Sequence, residues 1–157
     1  MNKTLGAMAL LATLSFAPAA AAKEVTAQIQ MVNYDGHEAY LAVYLVNAEG
    51  RYETTLWVSG KDPKYHSYLP RWWRYLSRAP QELDAITGAS AGGGDRVALK
   101  LDLKDEWFNA DYAIRVESAV EAGAAHEEDV LFDLKDTNNG ERIDGTGYVR
   151  VMRAGWE

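Results

Sequence analysis

Residues 96–103 read RVALKLDL, and they decide the fold class because polar and apolar side chains alternate along the stretch. The apolar positions are Val97, Leu99, Leu101 and Leu103. In an extended chain these side chains all point to one side, since successive residues of a strand face opposite ways. The stretch therefore predicts a β-strand with one face in a core and the other in water.

Similar stretches occur along most of the chain. They are residues 25–32, 39–46, 54–58, 112–118, 130–134 and 148–152. The pair Asp35-Gly36 between the first two is a turn signal, which predicts a hairpin there. Seven short strands separated by turns favour an all-β fold, an antiparallel and immunoglobulin-like β-sandwich.

Three details of this β-structure can be predicted as well. In the strand at 112–118, Arg115 and Glu117 fall on the face opposite to the apolar side chains. The acidic residues 127–129 are expected to form a solvated strand end. The pair Asn139-Gly140 is expected to form a hairpin turn between two strands.

One segment departs from the β pattern. Asp62-Pro63 is typical of a helix start, with an acidic N-cap and proline at the first helical position. Pro70 cannot lie deep inside a helix, because it lacks an N–H donor and clashes with the preceding turn. We therefore expect a short helical insertion around residues 63–77, with a break near Leu69 and a second helix starting at Pro70. Its apolar residues recur at helical spacing: Tyr65, Tyr68, Leu69, Trp72, Trp73 and Leu76.

Residues 84–90 lie shortly before the stretch 96–103 and read DAITGAS. Three glycines follow at 92–94. This pattern resembles the acceptor sequence of ApbE-type flavin transferases. Those enzymes join flavin mononucleotide (FMN) through its phosphate to a Ser or Thr. The sites read roughly Asp, two loose positions, Ser/Thr, Gly/Ser, Ala, Ser/Thr. The resemblance implies that Ser90 carries covalent FMN.

The resemblance also gives roles to the neighbours of Ser90. Gly88 and Ala89 are small enough to let a transferase reach the hydroxyl. Thr87 is expected to bond the local backbone and hold the turn. Asp84 is expected either to be recognised by the transferase or to fix the turn through backbone donors.

The helical insertion is locally basic and has two interpretations. Its cations are Lys61, Lys64, Arg71, Arg74 and Arg78, against Asp62 alone. In the first, the insertion lies beside the Ser90 turn, Arg71 meets a phosphate and Trp72 stacks on a flavin ring. In the second, Tyr65, Trp72 and Leu76 cover one open end of the sandwich while the cations face water.

The N-terminus indicates export. Lys3 is followed by an apolar stretch at 5–17 and by small residues at 19–22, the layout of a secretory signal peptide. We therefore expect a signal peptide at 1–22 and a single periplasmic domain at 23–157. No later stretch approaches the roughly 20 apolar residues that a membrane-spanning helix needs, so no membrane insertion is expected.

Composition narrows the function further. The chain has 16 Lys and Arg against 23 Asp and Glu, a net charge of −7, which argues against general nucleic-acid binding. It has no cysteine, which excludes disulfides, iron–sulfur clusters and cysteine-linked haem. His37, His66 and His126 are isolated in sequence, so no metal site is expected. Flavin is the simplest redox carrier left.

Two longer runs carry a second resemblance. Residues 56–66 read LWVSGKDPKYH and residues 69–73 read LPRWW. Together with 84–90 and Asp111-Tyr112 leading into 115–117, they resemble a family of predicted periplasmic proteins, domain of unknown function 2271. The resemblance covers essentially the whole mature chain. It implies an exported β-sandwich that works in extracytoplasmic flavin chemistry, in the company of flavin transferases and membrane redox proteins.

Two functions remain open on these observations. The first is a periplasmic electron carrier with FMN on Ser90, made by a separate flavin transferase and reduced by a membrane redox protein. The second is a non-enzymatic β-sandwich module that uses the helical insertion to bind an anionic ligand or a partner protein. Both favour an electron-transfer or binding protein over a stand-alone enzyme. Ser90 lacks the Gly-x-Ser-x-Gly surroundings of a hydrolase nucleophile, and no catalytic residue is predicted.

Overall fold

The computed structural model describes residues 21–60 and 62–157, and within them the chain forms two stacked β-sheets. The strands are β1 (Ala22–Met31), β2 (Ala39–Val46), β3 (Tyr52–Ser59), β4 (Thr87–Gly88), β5 (Arg96–Lys104), β6 (Ala113–Val120), β7 (Ala125–Asp133), β8 (Arg142–Asp144) and β9 (Val149–Trp156). Short 3-10 helices lie at Pro63–Tyr68, Asp84–Ile86, Asp105–Trp107 and Asp136–Asn138, and α1 spans Pro70–Arg78.

One sheet has the order β5-β1-β9-β8 and the other β4-β3-β2-β6-β7. Neighbouring strands pair antiparallel, except that the two-residue β4 runs parallel to β3. This arrangement confirms the predicted all-β sandwich with a small helical insertion.

The inner core lies between the two sheets. From β5 it takes Leu99, Leu101 and Leu103, which are buried as their alternation predicts, while Val97 is half-buried. β1 contributes every second residue in the same way, from Val25 to Met31. Burial of these side chains on one face leaves the polar residues between them on the opposite face of the same sheet.

Both predicted hairpin turns are wrong, because the strands they were expected to join lie in different sheets. Asp35-Gly36 lies in the connection from β1 to β2, which crosses between the sheets. Asn139-Gly140 lies between β7 and β8, which are also in different sheets. Asn139 instead pairs with Trp156, accepting from its backbone N–H at 2.9 Å and donating to its carbonyl at 2.8 Å. A turn signal fixes where the chain bends, but long-range packing selects the strand it then joins.

The helical insertion forms where it was predicted. The Asp62 carboxylate caps the 3-10 helix by accepting from the backbone N–H of Lys64 at 3.0 Å. The helical path breaks at Leu69, and α1 begins at Pro70. The insertion covers the outer face of the five-stranded sheet, where Trp72 and Leu76 pack among β-strand side chains.

This packing creates a second, outer core. Its buried members are Ala42, Tyr44, Val46, Val58, Leu69, Trp72, Leu76, Ala113 and Ala119. Consequently β6 is buried on both faces, and Arg115 and Glu117 are only 6% and 0% exposed. The alternation placed both on the face opposite the inner core, but that face is covered by the insertion rather than by water.

The acidic residues 127–129 also differ from the prediction. Asp129 is 1% exposed, while Glu127 is half-buried and Glu128 exposed. The Asp129 carboxylate turns inward and accepts hydrogen bonds from the loop between β8 and β9. The predicted solvated strand end is therefore wrong: the acidic run lies inside β7, and only Glu128 is exposed.

The predicted signal peptide lies at residues 1–22, and its first twenty residues are outside the described part of the chain. Lys61, one of the predicted cations of the insertion, is outside it too. Across residues 21–60 and 62–157, no helix has the length and apolar character needed to cross a membrane.

Candidate functional site

The acceptor-like stretch 84–90 lies along the edge of the five-stranded sheet. After the 3-10 turn at Asp84–Ile86, Thr87 and Gly88 pair with the end of β3. Ala91 then forms a two-way backbone bridge with Ala39 at the start of β2, with N–O distances of 2.7 and 3.0 Å. Ser90 is therefore held between two backbone pairings, which fix its position although it lies outside a strand.

The two hydroxyls of this stretch have different environments. Ser90 is half-buried, and its hydroxyl donates a hydrogen bond to the exposed carboxylate of Glu38. The Thr87 hydroxyl is buried and has no hydrogen-bond partner among the described residues. Thr87 therefore does not hold the turn through a backbone bond, which differs from the prediction. Of the two groups, the Ser90 hydroxyl is the one that a second protein could reach.

Gly88 is needed for the close approach of an aromatic ring. A β-carbon at this position would lie 2.5 Å from Cζ2 of Trp57, much closer than atoms can pack. Trp57, on β3, is half-buried and reaches the inner core from its other side. The aromatic side chain against the acceptor-like stretch is therefore Trp57.

Asp84 and Ala89 are both exposed. Within the described residues the Asp84 side chain makes no hydrogen bond, so its carboxylate faces solvent rather than fixing the turn. Of its two predicted roles, recognition by a transferase stays a prediction.

Arg71 and Trp72 lie in the outer core region, and no contact joins either of them to Ser90. Trp72 is 0% exposed, and its indole N–H donates to the Thr55 hydroxyl at 2.9 Å. The Arg71 guanidinium is held by Glu127, with Nε to Oε2 at 2.8 Å, and lies 3.6 Å from Glu128. These contacts give both residues a part in packing and charge pairing on the sheet. The second interpretation is confirmed in that Trp72 and Leu76 pack against the sandwich, but they cover a sheet face rather than an open end, and Arg71 is paired with glutamates rather than facing water.

Two tyrosines of the insertion, Tyr65 and Tyr68, reach the strand that bridges the acceptor-like stretch. Tyr40 follows Ala39 on β2 and stacks on Tyr65 and Tyr68, with ring centroids 5.2 and 5.7 Å away. All three rings are half-buried. Tyr40 and Glu38 flank Ala39, the residue that bridges Ala91, which brings this ring near the partner of Ser90. Burial raises the pKa of Tyr40, and Glu38 adds to the rise. The tyrosines thus form an aromatic surface beside the hydroxyl.

Glu38 was not identified from the sequence. It lies 52 residues from Ser90 and outside the acceptor-like pattern. Only the bridge between Ala39 and Ala91 brings the two together, and no local sequence signal indicates it. Trp57 carried a weak signal, since it lies in the run 56–66 that resembles the periplasmic family.

No three His, Asp or Glu side chains of the described segments are grouped closely enough to hold a metal ion. Comparison with curated proteins found no match, and comparison with solved structures found none either. A family model described as a predicted periplasmic protein matches residues 22–151. The match spans most of the chain and all nine strands except the end of β9. The chain therefore belongs to the family of predicted periplasmic proteins known as domain of unknown function 2271 (DUF2271).

Proposed function

We propose that this protein carries FMN joined through its phosphate to Ser90 and acts as an electron carrier in extracytoplasmic redox chemistry. The observation that carries the proposal is the Ser90 hydroxyl, which is fixed by the pairings of Gly88 and Ala91 and hydrogen-bonded to Glu38. The buried Thr87 hydroxyl is a much poorer acceptor. When bound, FMN supplies reversible uptake and release of electrons.

The surroundings of Ser90 suit an exposed flavin. Two aromatic groups near Ser90 offer faces for a ring system: Trp57, which packs against Gly88, and the tyrosine group, whose Tyr40 follows the residue that bridges Ala91. Ala89 is exposed and adds little bulk in front of the hydroxyl. A flavin held by these residues would supply electron exchange with a membrane redox protein, for which the exposed Ala89 and Glu38 leave the approach open.

Attachment requires removal of the Ser90 proton. The Ser90 oxygen forms a bond to the phosphorus that carries the flavin. At the same time the phosphoanhydride bond of the donor, a flavin pyrophosphate, breaks, and the half of the donor with the second phosphate leaves. Glu38 is the carboxylate to which the hydroxyl already donates, so the proton passes to Glu38. In this proposal the acceptor protein supplies its own base, while the flavin transferase holds the donor.

The test is mass spectrometry of protein exported from cells that contain an active flavin transferase. The tryptic peptide 79–96 has only two hydroxyl groups, on Thr87 and Ser90. We expect one FMN adduct on this peptide, complete loss of the adduct in Ser90→Ala, and retention in Thr87→Val. The intact mass also reports the N-terminus, which we propose lies near Lys23 after removal of a signal peptide.

Two outcomes contradict the attachment. One is an unmodified wild-type peptide in cells where the same transferase modifies another acceptor. The other is a Ser90→Ala variant that still holds flavin after denaturation.

A second prediction concerns the proton acceptor. Replacing Glu38 with glutamine keeps the size of the side chain but removes its capacity to take a proton. We expect the initial rate of flavin transfer to fall by about tenfold or more with purified transferase. The control is Glu121→Gln, which removes the same charge at an exposed position on the loop between β6 and β7. It should keep the wild-type rate. Equal rates for Glu38→Gln and wild type would show that the base belongs to the transferase.

A further inference from the structure

The outer face of the four-stranded sheet is on the opposite side of the sandwich from the helical insertion, and no described element covers it. Its cross-strand pairs bring three arginines around two glutamines. Gln28 lies opposite Arg153, Arg153 lies opposite Arg142, and Gln30 lies opposite Arg96. With Val151 and Ile29 these residues line a cavity of about 170 Å³, called the arginine pocket below.

Two of the three guanidinium groups are held by neutral acceptors. Nε of Arg153 donates to the carbonyl of Gly140 at 2.9 Å, and Nε of Arg96 donates to the side-chain oxygen of Gln30. These bonds orient each side chain and leave its two terminal amino groups without a described partner. Such pre-oriented forks match the oxygens of a phosphate group.

The arginine pocket also lacks counter-charges of its own. Across the described segments, no Asp or Glu forms an ion pair with Arg96, Arg142 or Arg153. By contrast, Arg71 and Arg115 on the other sheet both pair with Glu128. Like charges directly opposite each other on a sheet are destabilising, as Arg142 and Arg153 are here. An anion between them would remove this repulsion.

A larger groove of about 740 Å³ continues from the arginine pocket, and Gln28 and Arg153 line both. Polar groups dominate its wall: Thr26, Asn139 and the backbone of Gly140, together with the charged side chains of Lys23, Glu24 and Glu157. Its volume is in the range of small-molecule sites. The two carboxylates favour a neutral polar body over a second anionic group in this part of the site. A ligand that fills both parts therefore has an anionic head and a polar body.

We propose that this face binds an organic phosphate, with the phosphate in the arginine pocket and the polar body in the adjoining groove. Three guanidinium groups fit the three terminal oxygens of a phosphate ester better than the two oxygens of a carboxylate. This site is separate from Ser90 and does not depend on flavin attachment. It also moves the anion-binding function from the insertion, where Arg71 is already paired, to the other sheet.

The test is calorimetric titration at low ionic strength with three probes: ribose 5-phosphate, inorganic phosphate and ribose. We expect ribose 5-phosphate to bind with a Kd below about 1 mM, inorganic phosphate to bind more weakly, and ribose not to bind. Arg153→Gln and Arg142→Gln should each weaken binding of ribose 5-phosphate by about tenfold. Arg74→Gln, the same change at an exposed position on α1, is the control and should bind as the wild type does.

The outcomes distinguish a specific phosphate-binding site from general attraction of anions to positive charge. Equal affinity for ribose 5-phosphate and inorganic phosphate would limit the site to free phosphate and overturn the role of the groove. No saturable binding of either probe, or an equal loss in Arg74→Gln, would overturn the site itself. Amide NMR shifts confined to the four-stranded sheet and the loop at Asn139-Gly140 would confirm its location.

Discussion

Replacing Asp129 with alanine is expected to lower the free energy of unfolding by about 3 to 5 kcal/mol. The carboxylate is buried and accepts from the backbone N–H groups of Thr146, Gly147 and Val149, at 2.8, 2.7 and 2.9 Å. The Ser118 hydroxyl on β6 donates to it as well. Alanine leaves all four donors without their acceptor, and a buried unpaired donor costs about 1 to 3 kcal/mol.

These bonds join three parts of the fold that no single hairpin connects. Asp129 is on β7 of the five-stranded sheet, while the backbone donors are Thr146 and Gly147 of the β8–β9 connection and Val149 at the start of β9, in the other sheet. The connection packs closely against β7, because a β-carbon at Gly147 would lie 2.3 Å from the ring of His126. The carboxylate is therefore a tie between the sheets, and its loss is expected to loosen the β8–β9 end of the sandwich.

Urea unfolding of the exported domain measures the effect, with Asp133→Ala as the matched control. Asp133 is exposed at the end of the same strand, so its replacement should change the free energy of unfolding by less than about 0.5 kcal/mol. Asp129→Asn keeps one acceptor oxygen and should fall between the two. A loss below about 1 kcal/mol in Asp129→Ala would show that water replaces the carboxylate at little cost.

Local sequence was sufficient where an element depends on near neighbours. β2 spans Ala39–Val46 as predicted, and the insertion begins at Pro63 and restarts at Pro70. Strand alternation and proline geometry depend on residues only a few positions apart, so the local sequence is enough to predict these elements. The sheet that each strand joins could not be predicted from the local sequence. β1 and β2 follow each other closely yet join different sheets, because the inner core is closed by residues far apart in the chain.

The candidate site shows the same division. The pattern at 84–90 identified Ser90, and the structure makes Ser90 the accessible hydroxyl of the stretch. Its partner Glu38 and the ring of Trp57 come from other strands, so only the tertiary fold brings them together. For Trp72, stacking on a flavin and covering the sandwich both stayed open, because a helical stripe does not reveal whether its aromatic face meets a ligand or a sheet. The sheet is what it covers.

Glu117 is the charged residue whose burial could least be predicted. It supplies a hydrogen-bond acceptor for the start of α1, which the insertion itself lacks. The N-cap of α1 is Leu69, which has no side-chain acceptor. From β6, Glu117 supplies that acceptor by taking hydrogen bonds from the backbone N–H groups of Arg71 and Trp72, at 3.0 and 2.8 Å. The free N–H groups of a helix start are thus satisfied by a carboxylate of the underlying sheet.

Burial raises the pKa of Glu117 from 4.5 to about 7, although the two backbone N–H groups and the charge of Arg71 oppose the shift. Glu127 adds to it by like-charge repulsion. Since the folded protein holds the proton more tightly than the unfolded chain, the stabilisation from protonated Glu117 is complete below pH 4.5. It is lost as the pH rises through about 7. The shift corresponds to about 3 kcal/mol.

Glu117→Gln is therefore expected to remove a pH dependence as well as a hydrogen bond. The amide keeps one acceptor oxygen but turns an NH₂ group toward the second backbone N–H, so the variant is less stable than the wild type at pH 5. Between pH 5 and pH 8 the wild type loses the stabilisation that protonated Glu117 contributes. The variant keeps its stability at this position, because glutamine does not titrate. The stability difference between them should shrink by about 2 to 3 kcal/mol over that range.

Urea unfolding at intervals between pH 5 and pH 8 measures this difference directly, and groups shared by both proteins cancel in the comparison. Glu53→Gln, an exposed change of the same charge on β3, should follow the wild-type curve at every pH. Parallel curves for Glu117→Gln and wild type would mean that Glu117 ionises at its ordinary pKa. The two helix N–H groups would then outweigh burial, and the insertion would stay capped by a charged carboxylate throughout this range.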